Sequence, residues 1–594
     1  METQKSPQCA ARVVLRDDAG QRWLEFVSPR RIVSTCRIDD VLPLLREIDE
    51  AVERGGLWAA GFIAYEAAPA FDPSLNVRAD GAFPLLWFGV FERVREIVLP
   101  EDTLGAGEGP GWQPSVTREA YDRALAAIRS RIREGDTYQV NFTYRLRARH
   151  AIDPWVLFLR LAGGGDAPFA AFVDTGEWAV CSASPELFLR IDGERIESRP
   201  MKGTAARGLW SEDDQARKAA LLDSEKERAE NMMIVDMVRN DLGRVAEPGS
   251  VEVPALFTAE AYPAVWQLTS TVTARTRAPL DLSLAATFPP ASITGAPKGR
   301  AMSIIAELET DPRRIYTGTI GWLGPGRHSQ WNVAIRTVLV HKPSQTVEYG
   351  VGGGIVWDST TAGEYGESEA KAKTLNPVPR TFDLLETLLW TPRDGYALWD
   401  AHMARLARSG AFFGFMIDLR KIREALARVA AGLPPQACRV RLQVSRRGAV
   451  RCESVVLDAG SLSFTDVALA AGPVDRRDVF LYHKTSVRSV YESALRQRPG
   501  CSDVLLFNEA GEVTETTVAN VAVEIGGVRY TPPVRCGLLP GTQRAVLLER
   551  GELRERVIRV EDLREHPRVL LLNSVRGLQE VSVTAGACEK APHL

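Results

Sequence analysis

Between residues 118 and 134, apolar side chains recur at Tyr121, Leu125, Ile128 and Ile132. A spacing of three to four lays one stripe along an amphipathic helix. Thr117 stands before it as an N-cap and Gly135 after it as a stop. The pattern then turns strand-like through TYQVNFTYRLRAR, residues 137–149. Earlier, RWLEFV, LWAAGFIAY and LLWFGVF read as β segments within residues 1–100. A helical pattern runs through 212–242, and another helix is expected from near Glu364 to before Pro377. Beyond residue 380, helices are expected at 400–410, 419–431 and 488–497, among the β segments VRLQVS, DVLLFN and VAVEI. The mixture predicts an α+β fold throughout.

Two stretches break the periodicity. EDTLGAGEGPGWQPS, residues 101–115, is Gly/Pro-rich and reads as a loop. TLNPVPR, residues 374–380, places two prolines where a helical pattern stops, as a short linker would. This division predicts an N-terminal β-rich part over 1–115, a catalytic region over 116–375, a linker at 376–380 and a second domain over 381–594. The two sides of residue 380 show no internal repeat.

Composition narrows the function class. The chain has 594 residues, too many for one core, with 45% hydrophobic and 25% charged residues, as in soluble globular proteins. A net charge of −3 gives no electrostatic case for nucleic acid or an anionic membrane. No apolar run reaches membrane-span length, and the start lacks the apolar stretch of a signal peptide. The 8 cysteines are scattered without a CxxC pair, which argues against a disulfide framework or thiolate zinc site and fits the cytoplasm. Asn141-Phe-Thr143 matches a glycosylation sequon, by chance in such a compartment.

Candidate chemistry begins with the acids. Glu227 and Glu230 share a face of one helical stretch; Glu364 and Glu367 repeat that spacing on a later one, followed by Lys371. Such pairs are either solvated helix faces or carboxylates converging on a hard cation, and oxygen-only ligation favours Mg²⁺. SITGAPKGR is not a phosphate loop, since Lys298 is followed by Gly299. Gly352, Gly353 and Gly354 end a β-like run, making a turn or letting backbone N–H groups approach a carboxylate. Arg336, expected inside an alternating strand, suits either a structural ion pair or fork-like binding of a carboxylate ligand.

In order along the chain stand GDTYQVNFT, SPELFL, RPMKGT, AENMMIVDMVRNDLGR, SITGAPKGRAM, IYTGTIGW, AIRT and GGGIVWDS…EYGESEAKAK. Over residues 10–375 this resembles the superfamily of anthranilate, aminodeoxychorismate and isochorismate synthases. The resemblance implies a chorismate-utilising α/β sandwich domain. Relatives that add water to chorismate carry a lysine base where Gln139 stands, and anthranilate synthases carry a small residue where Lys202 stands. A lysine at 202 marks the aminodeoxychorismate branch.

By that resemblance Lys202 is a nucleophile that attacks C2 of chorismate, and Glu186 is the general acid for the departing C4 hydroxyl. Glu230 and Glu367 hold Mg²⁺ with Glu227 and Glu364 beside them. Tyr316, Arg336 and the Gly352 backbone hold a substrate carboxylate, with Gln139 and Thr294 in the same site. Many relatives carry a histidine near AVWQLTST; this chain has Trp266 and Gln267 there. No cysteine sits in a Gly-x-Cys-x-Gly nucleophile turn, so ammonia is expected from a separate glutamine amidotransferase subunit or free in solution.

A second ordered set is DAHMARLARSGAFFGF, RVRLQVSRRG, YHKTSVR, GEVTETTVANVAVE, CGLLPGTQR and NSVRGL. Over 381–594 it resembles the fold-type IV pyridoxal-phosphate enzymes, which include branched-chain and D-amino-acid aminotransferases and aminodeoxychorismate lyase. The resemblance implies a two-subdomain fold and pyridoxal 5′-phosphate carried on Lys484. Glu515 pairs with the pyridinium nitrogen, and Arg405, the Thr542–Gln543 backbone and Ser574 hold the phosphate. It also implies a homodimer formed through this domain. The two resemblances together imply conversion of chorismate to 4-aminobenzoate for folate. The alternatives are a synthase joined to an aminotransferase, or to a catalytically silent dimerisation domain.

Overall fold

In the computed structural model the described residues are 11–100, 110–162, 167–262, 265–372, 375, 382–458, 467–565 and 568–584. The stretch 101–109 and the linker 376–380 lie outside them. The chain divides into two compact units, one of residues 1–207 and 218–380, the other of residues 208–217 and 381–594.

The first unit is built on two 10-stranded antiparallel sheets. One runs from the short strand Gly295–Ala296 through Gln139–Arg149, Thr346–Ile355, Thr337–His341 and Trp178–Ser182 toward the N-terminal strand Arg12–Asp17. The other runs from Met201–Ala206 through Val265–Arg275, Arg195–Arg199 and Leu187–Asp192 to His328–Val333 and Trp58–Ile63. The sheets pack face to face, with Val13, Val180 and Leu339 of one meeting Phe62 and Trp322 of the other.

Each outer face carries a second layer of core. Val14, Ala179, Cys181, Val338 and Val340 share a cluster with Leu157, Phe158 and Leu161 of the helix Pro154–Ala162 and with Tyr121, Leu125 and Ile128 of Arg118–Arg133, whereas Ala59, Ile63, Phe88 and Leu189 pack under Ile38–Gly55 and Glu225–Gly243. Consecutive residues such as Val13 and Val14 therefore belong to different cores, because side chains alternate across a strand. That double burial is why LLWFGVF is apolar without alternating polarity; its strand Leu86–Phe91 is buried at every position.

Local sequence sets the element ends. Thr117 Oγ1 accepts from Ala120 N at 3.2 Å and caps Arg118–Arg133, and Gly135 takes a left-handed φ of 81° after it. The helical pattern over 212–242 is two helices, Ser211–Asp223 and Glu225–Gly243. Ser224 divides them, its hydroxyl accepting from Glu227 N at 3.4 Å. Period alone does not register a serine that caps instead of continuing.

The second unit has two sheets of its own. A 4-stranded sheet contains Leu384–Thr391, Cys438–Val444 and Val450–Val456, with the helices Trp399–Phe413 and Leu419–Ala431 packed on one face through Leu388, Leu406, Leu426 and Val440. A 9-stranded mixed sheet contains Asp503–Phe507, Val513–Thr516 and Asn520–Ile525. The result is the expected α+β fold, with two subdomains in this unit. No helix among the described residues is long and apolar enough to cross a membrane.

Candidate active sites

The first cleft, of about 1030 Å³, lies between terminal strands of the two sheets of the first unit. Lys202 enters from Met201–Ala206, Glu227 and Glu230 from the helix Glu225–Gly243, and Glu364 and Glu367 from the helix Thr361–Ala372. Glu186, Tyr316, Arg336 and Gly352 line it as expected, whereas Gln139 and Thr294 are not among its lining residues.

The glycine triplet lies on Thr346–Ile355, where Gly352 pairs with Thr143 and Gly354 with Asn141. A Cβ on Gly353 would meet Glu364 Oε2 at 3.1 Å. One on Gly354 would meet Gln139 Nε2 at 2.2 Å and Lys202 Nζ at 2.8 Å. The missing side chain at 354 is thus the room in which Gln139 and Lys202 meet. Gln139 is 1% exposed, and neither the nitrogen nor the oxygen of its amide has a hydrogen-bond partner among the described residues. A buried amide left unpaired is costly in a structural role and suits one that awaits a ligand.

Burial pushes the Lys202 amine below its ordinary pKa, and the Lys371 ammonium adds to this against the pull of Glu230, Glu367 and Glu186. Lys371 is the reverse: its ammonium donates to the Gly352 carbonyl at 2.8 Å and pairs with Glu367 at 2.8 Å, which holds its pKa up despite burial. Glu186 is 3% exposed, and burial raises its pKa to about 7. Ser292 Oγ donates to Glu186 Oε1 at 2.5 Å and, with Lys202, draws that value down.

The four helix carboxylates form an oxygen-only set. Burial raises the pKa of Glu227, Glu230 and Glu364, and the charge of Glu367 raises each further. Among the described residues no three acidic, histidine or cysteine side chains are gathered into a ready metal shell. Carboxylates that press on one another across a cleft fit a hard divalent cation better than solvated helix faces, where repulsion would be screened.

Arg336 and Thr294 differ from the sequence expectation. Arg336 is not inside a strand but in the break between His328–Val333 and Thr337–His341, at a φ of 49°. It has no ion pair among the described residues, and its guanidinium stands 5.3 Å from the Tyr262 ring. Thr294 is fully buried, its hydroxyl turned to the carbonyls of Ala291 and Pro290, and Ser292 lines the cleft instead. Gln267, at the departure from relatives, lines the cleft and donates to Thr204 Oγ1 at 3.0 Å. Asn231 carried no signal beyond its place beside Glu230; buried, it donates to the Lys202 carbonyl at 3.1 Å and accepts from Ser270 Oγ at 2.6 Å.

The second cavity, of about 2050 Å³, lies in the second unit and is lined by Lys484, Glu515, Arg405, Thr542, Gln543 and Ser574. The Lys484 carbonyl accepts from Leu385 N at 2.9 Å, which ties its segment to the strand Leu384–Thr391. Burial, assisted by Arg405 and Arg488, lowers its pKa to about 8. Glu515 is pushed up to about 8 by burial. It accepts from Tyr491 Oη at 2.8 Å, Asn520 Nδ2 at 3.1 Å and Leu539 N at 3.2 Å. Tyr491 is held well above its ordinary pKa and stays a donor.

The helix Thr542–Glu549 begins here with no side-chain cap at Gly541, so its first N–H groups are open to an anion. Ser574 Oγ donates to the Thr387 carbonyl at 3.0 Å. Arg405 gives Nε and Nη2 to Glu386 at 2.9 and 2.5 Å, and His402 Nδ1 meets the same carboxylate at 2.6 Å. Nothing in the sequence singled out Glu386 or His402, because their burial comes from packing across elements. A buried carboxyl with neutral donors around it, an anion-ready helix start and a low-pKa lysine fit pyridoxal phosphate.

The profile of the family described as chorismate binding enzyme matches residues 11–377, and that of amino-transferase class IV matches residues 383–583. Among curated relatives, aminodeoxychorismate synthase component 1 of Klebsiella aerogenes is 44% identical over 44% of this chain and 58% of its own length. Anthranilate synthase component 1 1 of Haloarcula marismortui is 41% identical over 44% of this chain and 54% of its own. The chain therefore matches little more than half the length of these relatives. Among solved structures, anthranilate synthase component I from Streptococcus pneumoniae shares the fold, with a TM-score of 0.52 at 24% identity over 64% of this chain and 95% of that one.

Proposed function

The chain belongs to the chorismate binding enzymes, and on that footing we propose that it makes 4-aminobenzoate from chorismate in two steps, one in each cavity. The observation that carries the reading is Lys202, an amine depressed by burial that meets a glutamine and not a second lysine in the space above Gly354. Identity does not choose the branch, since an aminodeoxychorismate and an anthranilate synthase lie within a few per cent of each other. Lys202 and Gln139 support the aminodeoxychorismate branch.

In the first cavity the deprotonated Lys202 amine attacks C2 of chorismate, the ring double bonds shift, and the C4–O bond breaks. Glu186, protonated up to about pH 7, gives its proton to the leaving hydroxyl. Ammonia then forms the C4–N bond and the electron pair returns to the Lys202 nitrogen, yielding 4-amino-4-deoxychorismate. Arg336, which has no ion pair among the described residues, and the strand at Gly352 receive a substrate carboxylate. Glu230 and Glu367, with Glu227 and Glu364, would hold Mg²⁺, which supplies charge for the other carboxylate. Ammonia comes from a separate glutamine amidotransferase subunit, in keeping with the name component 1 borne by the relatives.

In the second cavity pyridoxal phosphate, when bound, supplies the electron sink. Lys484 would hold it, and the Lys484 amine, once freed by the incoming substrate amine, would take the proton from C4 of the substrate. The C3–O bond breaks, the ring becomes aromatic and the side chain leaves as pyruvate. Glu515 would pair with the pyridinium N–H, and Thr542, Gln543, Ser574 and Arg405, which line the same cavity, would hold the phosphate.

Product analysis tests both halves. Wild-type protein given chorismate, ammonia, Mg²⁺ and pyridoxal phosphate is expected to release 4-aminobenzoate; Lys484→Ala should stop at the 4-amino-4-deoxy intermediate and Lys202→Ala before it. Anthranilate or isochorismate as product would overturn the branch, and a cofactor band that survives Lys484→Ala would overturn the second step.

A further inference from the structure

Five arginines line the second cavity: Arg405, Arg439, Arg441, Arg488 and Arg576. Arg405 is held by Glu386, and Arg488 donates to the Thr517 carbonyl while lying 4.8 Å from the Tyr491 ring. Burial lowers the proton affinity of Arg576, with Asp503 acting against this and Arg439 adding to it, so both charges act on it. Arg439 and Arg441 remain. They stand two positions apart on Cys438–Val444, whose alternate residues Cys438, Val440, Leu442 and Val444 are fully buried. Both therefore project from the opposite face, into the cavity.

Neither makes an ion pair or side-chain hydrogen bond among the described residues. Glu453 is the register partner of Arg441 on the neighbouring strand but does not come within ion-pair distance. The carboxylates that line the cavity are Asp503 and Glu515. Glu515 is enclosed by Tyr491 and Asn520, and Asp503 Oδ1 accepts from Thr517 Oγ1 at 2.6 Å. Two like charges side by side on a strand oppose folding, and neither belongs to the set expected to hold the cofactor phosphate. Their surplus charge matches a ligand that brings further anionic groups of its own.

We propose that Arg439 and Arg441 are the carboxylate-recognition site of the second cavity and select an amine that bears two carboxylates. The proposal rests on the lyase reading, whose substrate carries one carboxylate on the ring and one on the enolpyruvyl side chain. Guanidinium forks suit both groups, and an amine with a single acid group would leave one arginine unpaired.

The test uses the full-length protein loaded with pyridoxal phosphate, with Arg439→Gln, Arg441→Gln and the double variant. Each single substitution is expected to raise KM for 4-amino-4-deoxychorismate by roughly tenfold or more, as the loss of a charge-assisted contact does, with kcat and the cofactor absorbance band little changed. An unchanged KM in the double variant overturns the inference while leaving the lyase reading intact. If wild type does not convert 4-amino-4-deoxychorismate, that reading fails, and the arginines are judged by titrating the cofactor band with L-glutamate and L-alanine. A preference for glutamate that disappears in the double variant supports them, and its absence in wild type overturns them.

Discussion

A methyl group on Gly354 would stand 2.2 Å from Gln139 Nε2 and 2.8 Å from Lys202 Nζ. Both neighbours are ends of side chains and can move aside, so the cost falls on their placement and not on the fold. Gly354→Ala is expected to lower formation of 4-amino-4-deoxychorismate by roughly 100-fold, the scale of a misplaced reacting group, with a melting temperature close to wild type. Chorismate consumption and thermal denaturation of the same preparation check this; a fully active variant would remove Gln139 and Lys202 from one site.

The Glu186 pKa, raised to about 7, fixes the sign of a pH effect. A general acid works while protonated, so kcat/KM of the first step is expected to fall as pH rises through about 7. Ser292 donates to the carboxylate and favours its charged form. Ser292→Ala should raise the pKa further and carry the falling limb to higher pH, whereas Glu186→Gln should abolish it. The pH–rate profiles of the three proteins are the measurement.

Loading of the second cavity has the opposite sign. Lys484 condenses with an aldehyde only as the free amine, and its pKa is lowered to about 8. The rate at which cofactor-free protein takes up pyridoxal phosphate should increase as pH rises through about 8, followed by absorbance. Lys484→Ala should lose the covalent band.

Asn231 ties the helix of Glu227 and Glu230 to the strand of Lys202 through its bond to the Lys202 carbonyl. Asn231→Leu removes the donor to that carbonyl and the acceptor of the Ser270 hydroxyl, and is expected to cost about 1–3 kcal/mol by chemical denaturation, with a larger proportional loss in the first step than in the second.

Removing divalent cations with a chelator should halt chorismate consumption and leave turnover of supplied 4-amino-4-deoxychorismate unchanged. Glu230→Gln and Glu367→Gln should each raise the Mg²⁺ concentration needed for half-maximal rate. Equal inhibition of both steps by the chelator would assign the carboxylates another role.

Much of this was legible in the chain. The stripe at Tyr121, Leu125 and Ile128 and its Thr117 cap define a helix by themselves, since both signals are local. Lys202, Glu186 and the four glutamates stand in motifs whose order is informative, and the structure brings all six to one cleft. What stayed hidden depends on partners distant in sequence. Ser292 differs from Thr294 only in which way its hydroxyl turns, and that is decided by Glu186, far earlier in the chain. Arg336 sits in a backbone break that strand periodicity cannot reveal. Glu386 and His402 read as ordinary residues until packing buries them against Arg405.

The alternation of neighbours such as Ala179, Val180 and Cys181 between two cores has a consequence for how the first unit can vary. Deleting or inserting one residue within Trp178–Ser182 would send every later side chain of that strand to the wrong layer, with no solvent-facing side to absorb the error. Single-residue length changes are thus confined to the turns, and the strands can drift only by substitution at matched volume. The scaffold is inelastic in length, so innovation is directed to the loops and helix faces that surround the clefts.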